Sequence, residues 1–273
     1  MKQVLLTGAA GGVGTYLRHE LAGQYRLRLS DRVNIDDCRA TEEFMLSDLT
    51  SLESMRKTVQ GVDAIIHLGG YSVEGDWDSI LQANIIGAHN LFEAARLEGV
   101  KRIVFASSNH AMGFYDRDET IDHTAPPRPA SRYGLSKVFG ESLGQLYADK
   151  YGLEVLSIRI GNVGERPLDV RRLAIWISPR DFAQLVSIGL EHADIKSEIV
   201  YGMSDNKRAW WDNSNALRLG YAPMDKSEDY AAEILAAHNP DADHTLPETL
   251  QGGVFVTAES IPNPAKPVAD DQV

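Results

Sequence analysis

The chain has 273 residues, enough to bury a large hydrophobic core, and a formal net charge of -12 at pH 7. Such a charge repels nucleic acid and anionic membrane surfaces, so we expect no nucleic-acid partner and no membrane partner. The single cysteine, Cys38, excludes an intrachain disulfide and a multi-cysteine metal site, and it fits the reducing cytoplasm, where we expect the protein to be located.

Apolar runs of strand length alternate with amphipathic segments through the first two thirds of the chain. The runs have the character of parallel strands buried on both faces, and they are QVLLT, YRLRLSD, DAIIHLGG, RIVFASS and EVLSIRIG. The segments between them have helical spacing and end in glycine; they are VGTYLRHELAG, SLESMRKTVQG, ILQANIIGAHNLFEAARLEG and RYGLSKVFGESLGQLYADKYG. This alternation predicts an α/β fold, a Rossmann doubly wound parallel sheet with crossover helices.

The pattern loosens after the fifth strand, and we predict three regions. Residues 1–165 are predicted to form the sheet core. Residues 166–257 are predicted to form a small C-terminal substrate-binding segment, interwoven with the core over the carboxyl ends of the strands, where open α/β sheets bind ligands. This segment includes a helix over roughly 181–192, the strand-like SEIVYG and the Trp-rich KRAWWDNSNALRLGY. Residues 258–273 are rich in proline and charge and are predicted to form a flexible tail.

A glycine-rich loop lies between the first strand and the first helix. Gly8, Gly11 and Gly14 suit a tight turn, a close approach to a pyrophosphate and close packing of helix on strand. Gly12 and Val13 open the helix, whose positive N-terminus attracts phosphate. No Lys-Ser or Lys-Thr pair follows these glycines, so a triphosphate cradle is not expected. The loop therefore predicts a dinucleotide site.

Carboxylates and glycines at the ends of further strands extend this site. Asp31 ends the second strand, about 17 residues after the last glycine, where a carboxylate accepts hydrogen bonds from the ribose hydroxyls and favours NAD over NADP. An ordinary turn aspartate is the alternative for Asp31, and the neighbouring Arg32 keeps NADP as a minor possibility. The adenine is expected to lie near Asp48 and Leu49, and Leu68 and Gly69 are expected to let the backbone approach the cofactor.

Tyr133 and Lys137 lie four residues apart at the start of a predicted helix and therefore on one face. A nearby ammonium favours the phenolate, so Lys137 is expected to lower the pKa of Tyr133 and make it a working general base. Ser108, at the end of the strand RIVFASS, distinguishes this pair from a solvated helix face. We predict that these three residues are catalytic, with Lys137 also reaching the nicotinamide ribose.

Together with TGAAGGVG, Asp31 and Asn84, these residues resemble the extended short-chain dehydrogenase/reductase superfamily over the first ~165 residues. A finer resemblance runs nearly end to end and is to the bacterial uronate dehydrogenase family. Its motifs are HLGGYSVEGDW, LQANIIGAHNLFEAAR, IVFASSNHAMGFY, YGLSKVFGE, AWWDNSNALRLGY and LQGGVFV. The resemblance implies oxidation of cyclic galacturonate or glucuronate at C1, with NAD and no metal, to an aldarolactone.

The same resemblance implies a set of sugar-binding residues: Ser72, Ser108, Asn109, His110, Tyr133, Asn162 and Arg171. Arg171 is our choice for the clamp on the sugar carboxylate, because a guanidinium offers two parallel donors. Asn162 departs from the family pattern, in which we expect a small hydroxyl residue at this position.

Several of these residues have an alternative structural role. His110 fits a hydrogen-bonding wall residue better than a second base, and Asn109 serves equally well to tie loops together. Asn84 is expected to distort its helix. Trp210 and Trp211 could stack on a sugar face or form an apolar plug that joins the C-terminal segment to the core.

Two competing functions remain. A nucleotide-sugar epimerase or dehydratase uses the same Ser, Tyr and Lys but returns the hydride to an intermediate, and such enzymes usually have a larger C-terminal region. A non-catalytic NAD-binding regulator is the second alternative, although it has no need of all three residues. By analogy with the superfamily, whose exposed helices often pair, we expect a homo-oligomer.

Overall fold

The computed structural model describes residues 1–238, 245–259 and 261. Seven parallel strands form the main sheet, and two short strands form a separate parallel pair. In chain order the strands are β1 (Gln3–Thr7), β2 (Arg26–Asp31), β3 (Glu42–Leu46), β4 (Ala64–His67), β5 (Arg102–Ser108), β6 (Glu154–Ile160), β7 (Asn162–Val163), β8 (Trp176–Ile177) and β9 (Ser197–Gly202). The main sheet has the order β3-β2-β1-β4-β5-β6-β9, which confirms the predicted Rossmann fold.

Helices cover both faces of this sheet. They are α1 (Gly12–Glu20), α2 (Leu52–Val59), α3 (Trp77–Ile80), α4 (Gly87–Leu97), α5 (Arg132–Tyr151), α6 (Val170–Ile175), α7 (Pro179–Glu191), α8 (Ser214–Arg218), α9 (Ala231–Ala237) and α10 (Leu246–Thr249). A π-helix (Leu81–Ile86) joins α3 to α4, and 3₁₀ turns span Asn109–Met112, Ser227–Tyr230 and Gly253–Val256.

Alternate residues of the central strands β1, β4, β5 and β6 enter two separate hydrophobic cores. In β1, Val4 and Leu6 pack with α1 and α7, whereas Leu5 packs on the other face with α2, α4 and α5. All three of these side chains are fully buried, and burying a leucine contributes about 2 kcal/mol. Burial on both faces explains why these central strands have no polar alternation in the sequence, whereas β2 (RLRLSD), with one face in a core, does alternate.

The strand order reverses beside β1, which pairs with β2 on one side and β4 on the other. The loops that follow β1 and β4 therefore leave the sheet at the same edge and diverge to opposite faces. Such a switch point opens a crevice at the carboxyl ends of the strands. The glycine-rich loop and the loop after His67 line this crevice.

The sheet extends beyond the predicted core boundary at residue 165. Strand β9, predicted only as strand-like, pairs in parallel with β6, and α7 packs on the same face as α1. The reason is that Val200 and Phe182 add apolar surface to a core whose edge would otherwise be exposed at β6. The C-terminal segment therefore contributes a strand and a helix to the Rossmann sheet.

Of the predicted flexible tail, residues 258, 259 and 261 are described, and the others lie outside the described residues. Here the chain contacts the core. The Glu259 carboxylate pairs with Arg132 at 2.8 Å, and the Ile261 N–H donates to the Glu74 carbonyl at 3.0 Å. Within the described ranges, no helix is long and apolar enough to cross a membrane.

Candidate active site

A cavity of about 750 Å³ opens at the carboxyl ends of β4, β5 and β6. Such a volume holds a small ligand together with part of a cofactor. The structure brings most of the predicted site residues to its wall: Val13, Leu68, Ser72, Ser108, His110, Tyr133, Lys137, Asn162 and Arg171. The cavity therefore joins the predicted cofactor end and the predicted sugar end.

The glycine-rich loop has the geometry of a phosphate cradle. Gly8 has φ +70°, and a Cβ atom there would lie 2.9 Å from the backbone N of Gly69. A Cβ at Gly14 would lie 2.5 Å from the Gly8 carbonyl, whereas one at Gly12 would enter open space. Gly11 is the N-cap residue of helix α1 and has no side chain to cap the first-turn N–H groups. Uncapped donors beside the open space at Gly12 fit a pyrophosphate.

Three strand ends continue the cradle away from the cavity. The Asp31 carboxylate accepts hydrogen bonds from the N–H groups of Ala10 at 3.0 Å and Arg32 at 2.7 Å. It is thereby held at the end of β2, with oxygen lone pairs left for ribose hydroxyls. Asp48 follows β3, and the Leu49 side chain packs beside Gly69. The arrangement fits the adenosine half of NAD.

The N-terminus of α5 positions Tyr133. Ser131 caps the helix through a hydrogen bond from the Gly134 N–H at 3.0 Å, and the buried Glu74 carboxylate accepts from the Tyr133 N–H at 2.9 Å. A Cβ at Gly134 would lie 2.2 Å from the His110 carbonyl. Helix α5 therefore packs closely against the end of β5, and this packing sets Tyr133 beside Ser108.

Burial dominates the electrostatics of this group. It raises the pKa of Tyr133 to about 12, and the Ser108 hydroxyl lowers it in part. Burial also lowers the pKa of Lys137 to about 8. The predicted lowering of the Tyr133 pKa by Lys137 is not found, because the ammonium donates to the Ala106 carbonyl at 2.9 Å and lies 5.3 Å from the centre of the phenol ring. It contacts the ring face and not the hydroxyl.

At the opposite end of the cavity, Arg171 is largely buried. Its Nη2 donates to the Gln251 carbonyl at 2.6 Å and to the Asn109 amide oxygen at 3.0 Å, and its Nε has no partner within the described residues. Burial first, and then the charges of Arg117 and Arg172, lowers the pKa of Arg171 to about 10. An unsatisfied cationic donor of this kind suits an anion.

His110 and Asn109 differ in their relation to the cavity. His110 lines it, stacks on Phe255 with ring centres 3.7 Å apart, and has a buried Nδ1 without a partner in the described part of the chain. Burial holds the pKa of His110 well below its ordinary value, so the ring is neutral, as suits a wall residue. Asn109 is 1% exposed and lies behind the wall, where its amide joins Ile160 to Arg171. Its position is that of a tie between loops.

Sequence analysis predicted that the C-terminal segment binds the substrate, but it did not single out the residues of that segment that form this wall. Gly252, Gly253, Val254 and Phe255 line the cavity, and Gln251 lies directly behind them. The motif LQGGVFV contributes to the resemblance, but its place in the sequence does not predict that it packs at the end of β5. Glu74 was also missed. Its position shortly after a buried strand and two glycines, where an acidic residue can face the site, was a signal that could have found it.

Two other expectations concern packing. Asn84 lies in the π-helix, where its amide bonds both backbone groups of Tyr71 and the Ser136 hydroxyl, so the expected helix distortion is confirmed. Trp211 stacks on Tyr201 at 4.7 Å in a buried cluster that also holds Trp210. The two tryptophans therefore form the apolar plug and not a sugar platform.

The fold, the glycine cradle and the Ser-Tyr-Lys group define an NAD-binding enzyme of the short-chain dehydrogenase/reductase type. The model of the NAD-dependent epimerase/dehydratase family matches residues 4–230, and the chain belongs to that family. NAD is the cofactor of this family, which confirms the prediction made from the loop and Asp31.

Within the family the chain is similar to uronate dehydrogenases. It is 47% identical to the uronate dehydrogenase of Pseudomonas putida over 94% of this chain and 96% of the relative. A glucuronic acid dehydrogenase from Chromohalobacter salexigens superposes with a TM-score of 0.92 at 45% identity, covering 94% of this chain and 97% of that one. A mutant uronate dehydrogenase from Agrobacterium tumefaciens, complexed with NAD, has a TM-score of 0.90 at 41% identity and the same coverages. The predicted resemblance is confirmed, and with it the prediction of an NAD-dependent oxidoreductase.

Proposed function

We propose that the protein oxidises a cyclic hexuronate, galacturonate or glucuronate, at C1 to the aldarolactone. The observation that carries this proposal is the pairing, in one cavity, of the Tyr133 phenol with a guanidinium at Arg171 that lacks a carboxylate partner in the described part of the chain. A sugar acid has a hydroxyl for the first group and a carboxylate for the second. The similarity to uronate dehydrogenases supports the same substrate class.

In the proposed reaction the anomeric hydroxyl of the pyranose bonds to Tyr133 and Ser108. The Tyr133 hydroxyl first loses its own proton to solvent. As the C1–H bond breaks, the resulting phenolate oxygen takes the proton of the anomeric hydroxyl, and C1 becomes the carbonyl carbon of a lactone. NAD, when bound, accepts the hydride from C1. The positive charge of Lys137, at the same wall, would favour the phenolate, and its ammonium would hold the ribose of bound NAD.

Arg171 is proposed to hold the substrate carboxylate, with Ser72 and Asn162 contributing polar contacts along the same wall. A carboxylate bound there accepts hydrogen bonds from the side of the guanidinium that lines the cavity, and it replaces the lost hydration of this buried cation. Neutral sugars leave this donor unsatisfied, which costs about 1–3 kcal/mol and gives the site its preference for acids.

The test is NADH formation at 340 nm with purified protein, NAD and either galacturonate or glucuronate, compared with galactose and glucose. We expect turnover of the uronates and at least about a tenfold lower kcat/KM for the neutral sugars, from the unpaired donor at Arg171. Equal turnover of neutral sugars would contradict the carboxylate role of Arg171. No NADH with any sugar, together with NAD that co-purifies with the protein, would favour the epimerase alternative.

A further inference from the structure

Gln251 is a fully buried residue that joins three parts of the chain near the cavity. Its amide oxygen accepts from the Trp211 indole at 2.9 Å, and its amide nitrogen donates to the carbonyls of Asp116 and Glu119, both at 3.0 Å. Its backbone N–H donates to the Tyr115 carbonyl at 2.9 Å. Every polar group of the side chain is satisfied, so the position of its backbone carbonyl is tightly determined.

That carbonyl accepts the 2.6 Å hydrogen bond from Arg171 Nη2. The turn that follows encloses the guanidinium further, since Gly253 has φ +59° and a Cβ there would lie 2.7 Å from Arg171 Nε and 3.1 Å from its Cδ. Only a glycine leaves room for the arginine in its observed position. The turn Gln251–Gly253 therefore fixes both the distance and the direction of the Arg171 side chain.

The chemistry of these contacts matters for the charge. Within the described residues no carboxylate forms an ion pair with Arg171. Arg117 and Arg172 repel it, and their effect is larger than the attraction of the two carboxylates at the cavity wall, Asp169 and Glu248. The guanidinium is held by two neutral oxygens, those of Gln251 and Asn109. A carboxylate partner would cancel its charge, whereas neutral acceptors orient it and leave that charge for a ligand.

We infer that the turn Gln251–Gly253 is a specificity-determining element that positions Arg171, so that the preference for acid sugars depends on the C-terminal segment. The inference rests on the proposed function. Gln251 and Gly253 act through Arg171 and are positioning residues. The turn contributes nothing to the acid-base chemistry at Tyr133, so it affects the binding of the carboxylate and not the binding of NAD.

The experiment compares Gly253→Ala with Gly220→Ala in the full chain. Gly220 has φ +88° and nothing within 4 Å of an added Cβ, so both variants carry the same kind of backbone strain, but only Gly253→Ala displaces Arg171. For Gly253→Ala we expect KM for the uronate to rise about tenfold or more, with KM for NAD within about twofold of the parent. Gly220→Ala is expected to keep the parent KM for both.

A second variant, Gln251→Glu, tests the same point without a glycine. It places a carboxylate oxygen against the carbonyls of Asp116 and Glu119, displacing the turn, and we expect the same rise of KM for the uronate alone. An unchanged KM for the uronate in Gly253→Ala and Gln251→Glu would overturn the inference while the proposed function stands. Parallel losses of Tm and of NAD affinity in Gly253→Ala and Gly220→Ala would also overturn it. A parent protein without uronate turnover would refute the proposed function, and the inference with it.

Discussion

At Tyr133, burial and a neighbouring hydroxyl act in opposite directions on the phenol. Burial raises its pKa and Ser108 lowers it, so the group is neutral at rest and acts as a base only after it has lost its proton to form the phenolate. Tyr133→Phe removes the hydroxyl and keeps the ring. We expect kcat for the uronate to fall by about 10²–10⁴, the usual contribution of a general base, with NAD affinity unchanged. Steady-state kinetics and NAD titration measure the two quantities, and substantial remaining turnover would mean that another group takes the proton.

Asp31 is the residue at which the choice of cofactor is expected to be made. Its carboxylate is held by Ala10 and Arg32 at the end of β2, where it repels a 2′-phosphate. We expect Asp31→Ser to lower the ratio of kcat/KM for NAD to that for NADP by about tenfold or more. Asp36→Ser, which removes an equal charge from the exposed part of the following loop, serves as the control. An equal change of this ratio in both variants would mean that the loss of a negative charge, and not the position of Asp31, causes the effect.

At the scale of elements, the start of α1 combines two kinds of glycine. A Cβ at Gly14 meets the Gly8 carbonyl at 2.5 Å, whereas a Cβ at Gly12 meets nothing within 4 Å. We therefore expect Gly14→Ala to lower the free energy of unfolding by about 1–3 kcal/mol, as overpacking does. Gly12→Ala is expected to leave stability within about 1 kcal/mol and to raise KM for NAD, because its methyl group occupies the cradle.

Urea unfolding without NAD, together with the KM for NAD, separates these two effects. An intact KM in Gly12→Ala would mean that the pyrophosphate does not lie over the first turn of α1. Equal stability losses in both variants would mean that the unliganded loop, and not the cofactor, requires glycine at both positions.

The segment between β4 and β5 shows what element-level analysis leaves open. Its helical periodicity predicted one helix, and the structure contains α3, a π-helix and α4. The bulge places the Asn84 amide between Tyr71 and Ser136, so that it ties the loop after β4 to the catalytic helix. Helical periodicity predicts an apolar face. It does not predict a π-helix, because the wider turn is stabilised here by partners that are distant in the sequence.

At the scale of the whole molecule, buried histidines make stability depend on pH. Burial, with a smaller effect from Lys137, lowers the pKa of His67 to about 3, and its Nδ1 lies 2.8 Å from the Thr7 hydroxyl. Below about pH 6.5 the unfolded chain binds a proton at His67 that the folded chain does not. The free energy of unfolding therefore decreases as the pH is lowered from about 6.5 to about 3. Between pH 7.5 and 5.5 this costs about 1.4 kcal/mol.

His67→Gln removes this titration and keeps a hydrogen-bonding group beside Thr7. We expect its free energy of unfolding to fall between pH 7.5 and 5.5 by about 1.4 kcal/mol less than that of the parent. His19→Gln is the matched control, because its side chain is 78% exposed. Urea unfolding at the two pH values gives the difference, and an equal pH dependence in parent and His67→Gln would show that His67 is charged in the folded chain.

The assembly and location of the protein stay predictions. Leu135, Leu146 and Tyr151 are exposed apolar residues on α5, and the expected homo-oligomer pairs exposed helices. A homo-oligomer would cover them, and sedimentation of the purified chain measures its mass directly. The expected cytoplasmic location rests on the single cysteine.

The sequence by itself determined the sheet, the glycine-rich loop and the position of Tyr133 and Lys137 on one helix. These features depend on short-range rules: runs of buried residues for strands, glycines where a Cβ would clash, and a spacing of four that puts Tyr133 and Lys137 on one face of α5. The resemblance added Arg171 and His110, which line the cavity as expected.

Only the tertiary structure decided what surrounds these groups. It put Glu74 under the start of α5, Phe255 on His110, and the turn Gln251–Gly253 around Arg171, and it showed that burial governs the pKa of Tyr133. The physical reason is that burial and hydrogen bonding between distant segments depend on how the whole chain packs. The spacing of residues along the sequence does not predict which of them are desolvated when a distant segment packs over them.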